Sequence, residues 1–463
     1  MPERIRAVQQ DFLELARDCP EHRDFDITGW ASEQESLVAA LEQVQSRPGA
    51  GTPGPDGTRP SAIGAERSFL AKVQQRLSAP VFVHGPTRLV EVPKPWGGTR
   101  TLTIQNADDR VADTAVNIFF RPVVDAGLPD CSFGFREGRG TLQALLALGE
   151  VVRTCPATST LVGLDLAGCF NSVSWPHLER SLRRRINEPR LVDYVRGLCA
   201  KAGIPEGSPM SPAVADLHLQ PLVWQVQRHG LGITYGDDFV LACASRAEAR
   251  SLIASLTRTA GSLGVAFAPH KTHFSTLTQG VGFVGYELAR RGGVVVARAG
   301  SRAVPGLTAS LERVEREHQH GNPSNFIRKV NEVLRGWAEY FRFDAKALAI
   351  GGQVAHEAAL RWLNRRLPQR LVQKYYDRPD GIAAGDALLL DPRRFYSDFP
   401  AALRSRSTGP TGLLPGHYGS YLTTGHRGGC TSGPALPSCS PGAWRRHGVG
   451  LLGGGIEKAE AGE

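Results

Sequence analysis

The chain has 463 residues, enough for two or three domains with cores of their own. Its 41% hydrophobic and 21% charged residues are those of a globular protein and exclude a fibrous chain, and no run of 18 apolar residues offers a membrane span. A net charge of +9, with arginine far outnumbering lysine, points to a polyanionic partner, nucleic acid first, although arginine-rich usage also follows from a GC-rich genome.

The eight cysteines, at 19, 131, 155, 169, 199, 243, 430 and 439, contain no C-x-x-C pair, so neither a zinc ribbon nor a redox motif is indicated. Scattered thiols suit a reducing compartment, and the charged start (Glu3, Arg4, Arg6) lacks the apolar run of a signal peptide. The expected location is the cytoplasm of a bacterium, beside the nucleoid.

Residues 1–47 read as helical, with Leu37, Val38, Leu41 and Val44 at helical spacing and Ser32 as N-cap. The Gly/Pro-rich run 47–58 is a loop, and a helix follows over Glu66–Leu77. Pro86–Ile104 reads as two strands around a Gly-Gly turn flanked by Lys94 and Arg100. Such a cationic hairpin can clamp a triphosphate, or carry a solvated pair at a sheet edge. A helix over Asp109–Phe120 leads to Cys131–Thr141, dense in Gly, Arg and Phe. There Arg136 and Arg139 suit a phosphate backbone, with aromatic packing beneath.

After a helix over Thr141–Arg153, the apolar strand from Thr160 ends in Asp165, and a turn leads to Phe170. An acid at the end of a buried strand is rarely there for stability alone, although a capping role is the alternative. Helices over Trp175–Ile186 and Arg190–Ala202 precede the turn-rich loop Gly203–Pro212, which opens an apolar helix over Ala213–Val226. Free N–H groups at that helix start suit an anion or a templating strand.

The chain is organised around Thr234-Tyr-Gly-Asp-Asp-Phe-Val240. Apolar, partly β-branched flanks make it a buried hairpin, and Gly236 permits the turn that presents Asp237 and Asp238. Adjacent carboxylates are costly to bury unless a cation joins them, and Mg²⁺ is the expected one; alone, the pair also reads as a solvated turn. A helix over Arg246–Gly264 and strands near Val265–Ala268 and Val281–Glu287 close this region.

From Thr308 the pattern is helical and basic. Ile327, Val330, Leu334, Trp337 and Phe341 share one face, and the run Arg361–Tyr376 repeats the chemistry. Arg335, Trp337, Arg342, Arg365 and Arg366 suit RNA grooves and exposed bases, or else form ordinary amphipathic helices with snorkelling arginines. Beyond about residue 403 the composition is that of a poorly ordered tail, in which His426, Cys430, Cys439 and His447 fit no standard zinc spacing.

In this order the pieces read as a template-directed polymerase. Asp165, Asp237 and Asp238 can hold two Mg²⁺ ions about 3.5–4 Å apart, one activating a primer 3′-hydroxyl and one holding the triphosphate. The chain resembles group II intron reverse transcriptases and their maturase relatives over about residues 29–376. Gly49–Gly57 resembles the N-terminal G-x-D-G segment, and Val92–Arg100 with Asp109-Arg110 the fingers motif. Ser132–Arg139 resembles S-x-G-F-R-P-G-R, Asp165–Asn171 the first catalytic motif, and Tyr235–Asp238 the Y-x-D-D box. His270–Thr272 and Gly282–Gly285 resemble later palm blocks, and Leu334–Phe341 with Trp362–Tyr376 the thumb.

The resemblance implies an α+β right-hand polymerase: an N-terminal extension over 1–80, fingers and palm over 81–300, a helical thumb or maturase domain over 301–378 and a tail over 379–463. Asp165, Asp237 and Asp238 would be catalytic metal ligands for Mg²⁺, with Mn²⁺ as a substitute. Lys94, Arg100 and Lys271 would serve the triphosphate, Gly282–Gly285 the primer end, and Phe170 would exclude a 2′-hydroxyl and so select dNTPs. RNA template, primer and an intron or cognate RNA are the implied partners. The chain departs from the pattern at Glu206 (usually Gln, which contacts the nucleotide), Asp113 (usually Gln) and Asn171 (usually Asp), and no HNH endonuclease motif follows the thumb. The alternatives are a splicing maturase with weakened polymerase, a defence-associated reverse transcriptase and an RNA-dependent RNA polymerase, the last opposed by Phe170.

Overall fold

The computed structural model describes residues 1–64, 67–93, 99–199, 203–369, 372, 383–384 and 387–406, all within one unit, Met1–Leu422. Lys94, part of the Arg361–Tyr376 run and the His426/Cys430/Cys439/His447 set lie outside these residues.

Helices α1 (Glu3–Asp18), α2 (Ile27–Ala31), α3 (Gln34–Ser46) and α4 (Arg67–Ser78) precede the hairpin of β1 (Arg88–Pro93) and β2 (Thr99–Ile104). The expected N-cap Ser32 instead closes α2, donating its hydroxyl to the Gly29 carbonyl at 2.7 Å, and Glu33 takes the N-cap of α3 without a side-chain bond. Then come α5 (Ala107–Ala126), α6 (Thr141–Thr154), β3 (Thr160–Asp165), α7 (Cys169–Ser172), α8 (Trp175–Arg183), α9 (Pro189–Cys199) and α10 (Ser211–His229). Strands β4 (Gly232–Tyr235) and β5 (Asp238–Cys243), helix α11 (Arg246–Ser262) and strands β6 (His273–Thr276), β7 (Val281–Phe283), β8 (Tyr286–Arg291) and β9 (Val294–Ala299) follow. Helices α12 (Ala303–Glu317), α13 (Pro323–Tyr340), α14 (Ala345–Asn364) and α15 (Phe399–Arg406) complete an α+β fold.

The central sheet is antiparallel with order β4-β5-β3-β6, and side-chain alternation gives it two cores. Val162, Leu164, Phe239 and Leu241 face a cluster built with α5, α8, α9, α10 and the N-terminal helices. Leu161, Ile233, Val240 and Ala242 face α6 and the β7-β8-β9 sheet. A third cluster joins α12, α13 and α14, where the Phe326 and Trp362 rings stack at 4.4 Å.

Two strand expectations change. Val265–Ala268 contributes an isolated bridge, Leu166 to Phe267, in place of a strand. The expected strand Val281–Glu287 breaks into β7 and β8 because Val284 takes a left-handed φ of +43°. Among the described residues no helix is long and apolar enough to cross a membrane.

Candidate functional site

The register of the central sheet brings the two acidic motifs together. β3 and β5 pair antiparallel with Asp165 directly opposite Asp238, although 73 residues separate them in sequence. Between β4 and β5 the chain reverses through Gly236 at φ +60°, a conformation that suits glycine. The turn is braced from behind: Phe133 N–H donates to the Thr234 carbonyl at 3.0 Å and Thr234 N–H to the Cys131 carbonyl at 2.8 Å. Gly134 then passes so close that a Cβ there would overlap the Gly236 nitrogen. From the front, Leu166 N–H reaches the Asp237 carbonyl at 3.3 Å.

These carboxylates are short of positive charge. Burial pushes the Asp238 carboxyl up to about 7, aided by Asp237 and Asp165, and burial with Asp165 raises Asp237 as well. The counter-charge in contact is Lys271, whose ammonium lies 2.5 Å from Asp165 Oδ1. Among the described residues no three acidic, His or Cys side chains are drawn close enough to enclose an ion. The donor set nevertheless fits a hard divalent cation by charge and ligand type, since burial and the neighbouring Asp165 raise both Asp237 and Asp238 and an added cation would relieve that cost.

Of the expected nucleotide contacts, Arg100 lies on β2 and pairs with Glu206, Nε to Oε2 at 3.3 Å. It also acts electrostatically on Asp237. The loop carrying Glu206 is stitched to the same strand, with Thr103 N–H donating to the Glu206 carbonyl at 2.6 Å. Phe170 is half-buried against the first core, its carbonyl accepting from Ile204 N–H at 2.9 Å.

Beneath this loop Asp113 is fully buried and receives four side-chain contacts. These are Tyr194 OH at 2.6 Å, Ser208 Oγ at 2.5 Å, Gln105 Nε2 at 2.8 Å and His84 Nε2 at 3.4 Å. Burial alone would raise its carboxyl, but His84, Ser208 and Tyr194 together hold it below the usual range. Sequence reading marked Asp113 only as a departure from the family pattern. Its partners are spread from His84 to Ser208, so no local signal announces them.

The expected nucleic-acid contacts divide. Arg136 turns inward: its guanidinium donates to the carbonyls of Pro129, Ser132 and Asp125, and burial with Arg139 nearby pushes it down to about 10. Arg139 is likewise spent on the Asp130 side chain and carbonyl at 2.8 and 3.0 Å. Both brace their own loop. Trp337 donates Nε1–H to the Ala303 carbonyl at 3.0 Å and packs against two cores and Gly351, so its ring is structural. Arg335 is exposed. Arg342 is half-exposed and donates to the Glu339 carbonyl at 2.7 Å. Arg365 keeps 68% of its side chain exposed, 3.6 Å from Glu315, and Arg366 lies over the Trp362 ring at 4.4 Å.

A residue that sequence reading missed lies at the end of α13. Tyr340 OH donates to the carbonyl of the strained Val284 at 2.6 Å, while Tyr286 OH donates to the Tyr340 carbonyl. The turn after β7 is thereby knotted to the last turn of α13.

Comparison with known proteins identifies two domains in the chain. Residues 92–288 match the family described as "Reverse transcriptase (RNA-dependent DNA polymerase)", and residues 307–378 match "Group II intron, maturase-specific domain". The chain is similar to the "Putative COX1/OXI3 intron 1 protein" of Saccharomyces cerevisiae, 26% identical over 40% of this chain and 23% of the relative. It is similar to the corresponding intron 2 protein of the same yeast, 24% identical over 41% and 23%. "Protein YkfC" of Escherichia coli is 25% identical over 46% of this chain and 60% of its own length. The matches thus span under a quarter of the two yeast relatives. With both domains matched in the order in which the acidic site and the helical region occur, the chain belongs to the group II intron reverse transcriptase and maturase family.

Proposed function

We propose that the chain is an RNA-directed DNA polymerase that transfers a nucleotide from a dNTP to a primer 3′-hydroxyl on an RNA template. The observation that carries this reading is the convergence of Asp165, Asp237 and Asp238 at one end of the central sheet with their charge under-compensated. Asp165, Asp237 and Asp238 would hold the divalent cations, two Mg²⁺ or substituting Mn²⁺. Bound there, the cations would acidify the attacking hydroxyl and neutralise the triphosphate.

The chain's own residues would position the reactants. Arg100 on β2, together with Lys94, would orient the triphosphate; Lys271 beside Asp165 would face the pyrophosphate side. Phe170 would lie under the sugar and exclude a 2′-hydroxyl. In this reading residues 1–80 extend the fingers, 81–300 form fingers and palm, 301–378 the thumb, and 379–463 the tail. Arg335, Arg342 and Arg365 would contact a cognate or intron RNA.

One observation favours a second reading, a maturase that binds RNA with little polymerase activity: Glu206 already takes the Arg100 guanidinium. Primer extension on an RNA template with Mg²⁺, comparing dNTPs with rNTPs and wild type with Asp237→Ala, separates the two. Extension with dNTPs that vanishes in the variant supports the polymerase. Tight RNA binding by both proteins with no extension supports the maturase.

A further inference from the structure

Phe135 stands out in the loop that braces the catalytic turn. Its backbone is left-handed, φ +58°, a conformation that strains a bulky residue. Its ring is not buried in return: the residue is 50% exposed. The ring edge lies against Gly236, so that a Cβ at Gly236 would meet Phe135 Cε2 at 3.2 Å. The neighbouring side chains make this placement rigid. Phe133 is buried on the β4 side. Arg136 and Arg139 are tied to the loop's own carbonyls, with Arg139 also over the Phe133 ring at 5.8 Å. Hydrophobic burial therefore does not account for a strained backbone that holds a half-exposed aromatic ring against Gly236 in the turn before Asp237.

From this geometry we infer that Phe135 is a stacking platform for a nucleobase, the terminal base of the primer strand, seated against the Tyr235–Asp238 turn. The inference rests on the polymerase reading for the identity of the strand. Its chemistry is that of a fixed aromatic face, which any base can stack on without sequence preference. Arg136 and Arg139 then act at one remove, as positioning residues that fix the ring, and leave phosphate contacts to exposed arginines elsewhere.

The test is equilibrium binding and single-nucleotide extension with a primer–template carrying 2-aminopurine at the primer 3′ end. Phe135→Ala is expected to raise Kd for the duplex about tenfold and to abolish quenching of the 2-aminopurine, with the slope of log K against log salt unchanged because no phosphate contact is lost. Phe135→Trp is expected to restore both. Phe135→Gly removes the backbone strain with the ring, so it should melt no lower than wild type while binding as weakly as the Ala variant. Unchanged Kd and quenching in Phe135→Ala, or a loss of kcat alone, would show that the ring only braces the turn and would overturn the inference. Full restoration by Phe135→Leu would also overturn it, since packing would then suffice without stacking. A wild type that quenches the terminal base but extends no primer would leave the platform standing and sink the polymerase reading instead.

Discussion

Two places in this molecule take aspartate out of water, and they are handled in opposite ways. At Asp113 four side-chain donors converge on one fully buried carboxylate and hold it ionised below its ordinary range. At the end of β3 and β5 Asp165 lies opposite Asp238, with Asp237 next to it in the turn and one lysine in contact with Asp165, and Asp238 is driven up to about 7. A buried acid whose donors match its lone pairs has nothing left to bind; it ties elements together. A group of acids left short of partners lowers stability and persists where a ligand supplies the missing charge. The contrast separates frame from site without reference to any relative.

The sharpest way to break this contrast is to remove one acid from each place. Asp237→Ala should reduce primer extension by about 10³-fold or more while leaving the melting temperature level or raised, since like charge is relieved. Asp113→Ala should do the reverse to the fold, costing about 3 kcal/mol as the donors around it lose their acceptor, measured by urea unfolding. If Asp237→Ala proved the more destabilising of the two, the assignment of frame and site would be inverted.

The pH dependence sharpens the comparison because the signs differ. Asp238 rises from an ordinary 3.8 to about 7 on folding, so between those values the folded chain holds a proton that the unfolded chain has lost. That contribution weakens the fold as pH rises toward and through about 7. Asp113 is held low, so its contribution is present above its unfolded value and lost as pH falls below it. Without divalent metal, melting at about pH 8 should therefore lie a few degrees below that at about pH 6. Asp238→Asn should flatten this difference, and Mg²⁺ should recover the loss at the higher pH. A difference that persists unchanged in Asp238→Asn would place its origin elsewhere.

The smallest expected effect concerns the loop between the two places. Glu206→Gln frees Arg100 from its 3.3 Å pairing and should lower the KM for dNTP by about two- to fivefold with little change in kcat. A raised KM would mean that Glu206 positions Arg100 for the nucleotide instead of withholding it.

What could be read from the sequence follows the range over which its signals act. The hairpin carrying Asp237 and Asp238, the strand ending at Asp165 and helices α6, α10 and α11 were legible because hydrophobic period, turn glycine and capping act within a few residues. The pairing of Asp165 with Asp238 required the motif order of the family, since nothing local fixes a register across 73 residues. The inward turn of Arg136, the structural placing of Trp337 and the Asp113 hub were not legible. Each is decided by where distant carbonyls and hydroxyls fall after packing. The strand expected through Val284 failed for a related reason: a β-branched residue reads as extended, while Tyr340 and the Gly300 N–H bond to the Gly285 carbonyl at 2.9 Å hold the chain in another shape.

That last clasp has a mechanical consequence. Tyr340 is the final residue of an 18-residue helix; its hydroxyl is bonded to Val284 in the turn between β7 and β8, and its carbonyl to Tyr286 at the start of β8. A helix of that length spans about 27 Å, so a tilt of α13 would move the Val284 turn held at its end. A shift of the helix would therefore reach the turn directly through these two bonds. The two tyrosines make that turn the short arm of a lever whose long arm is the helix.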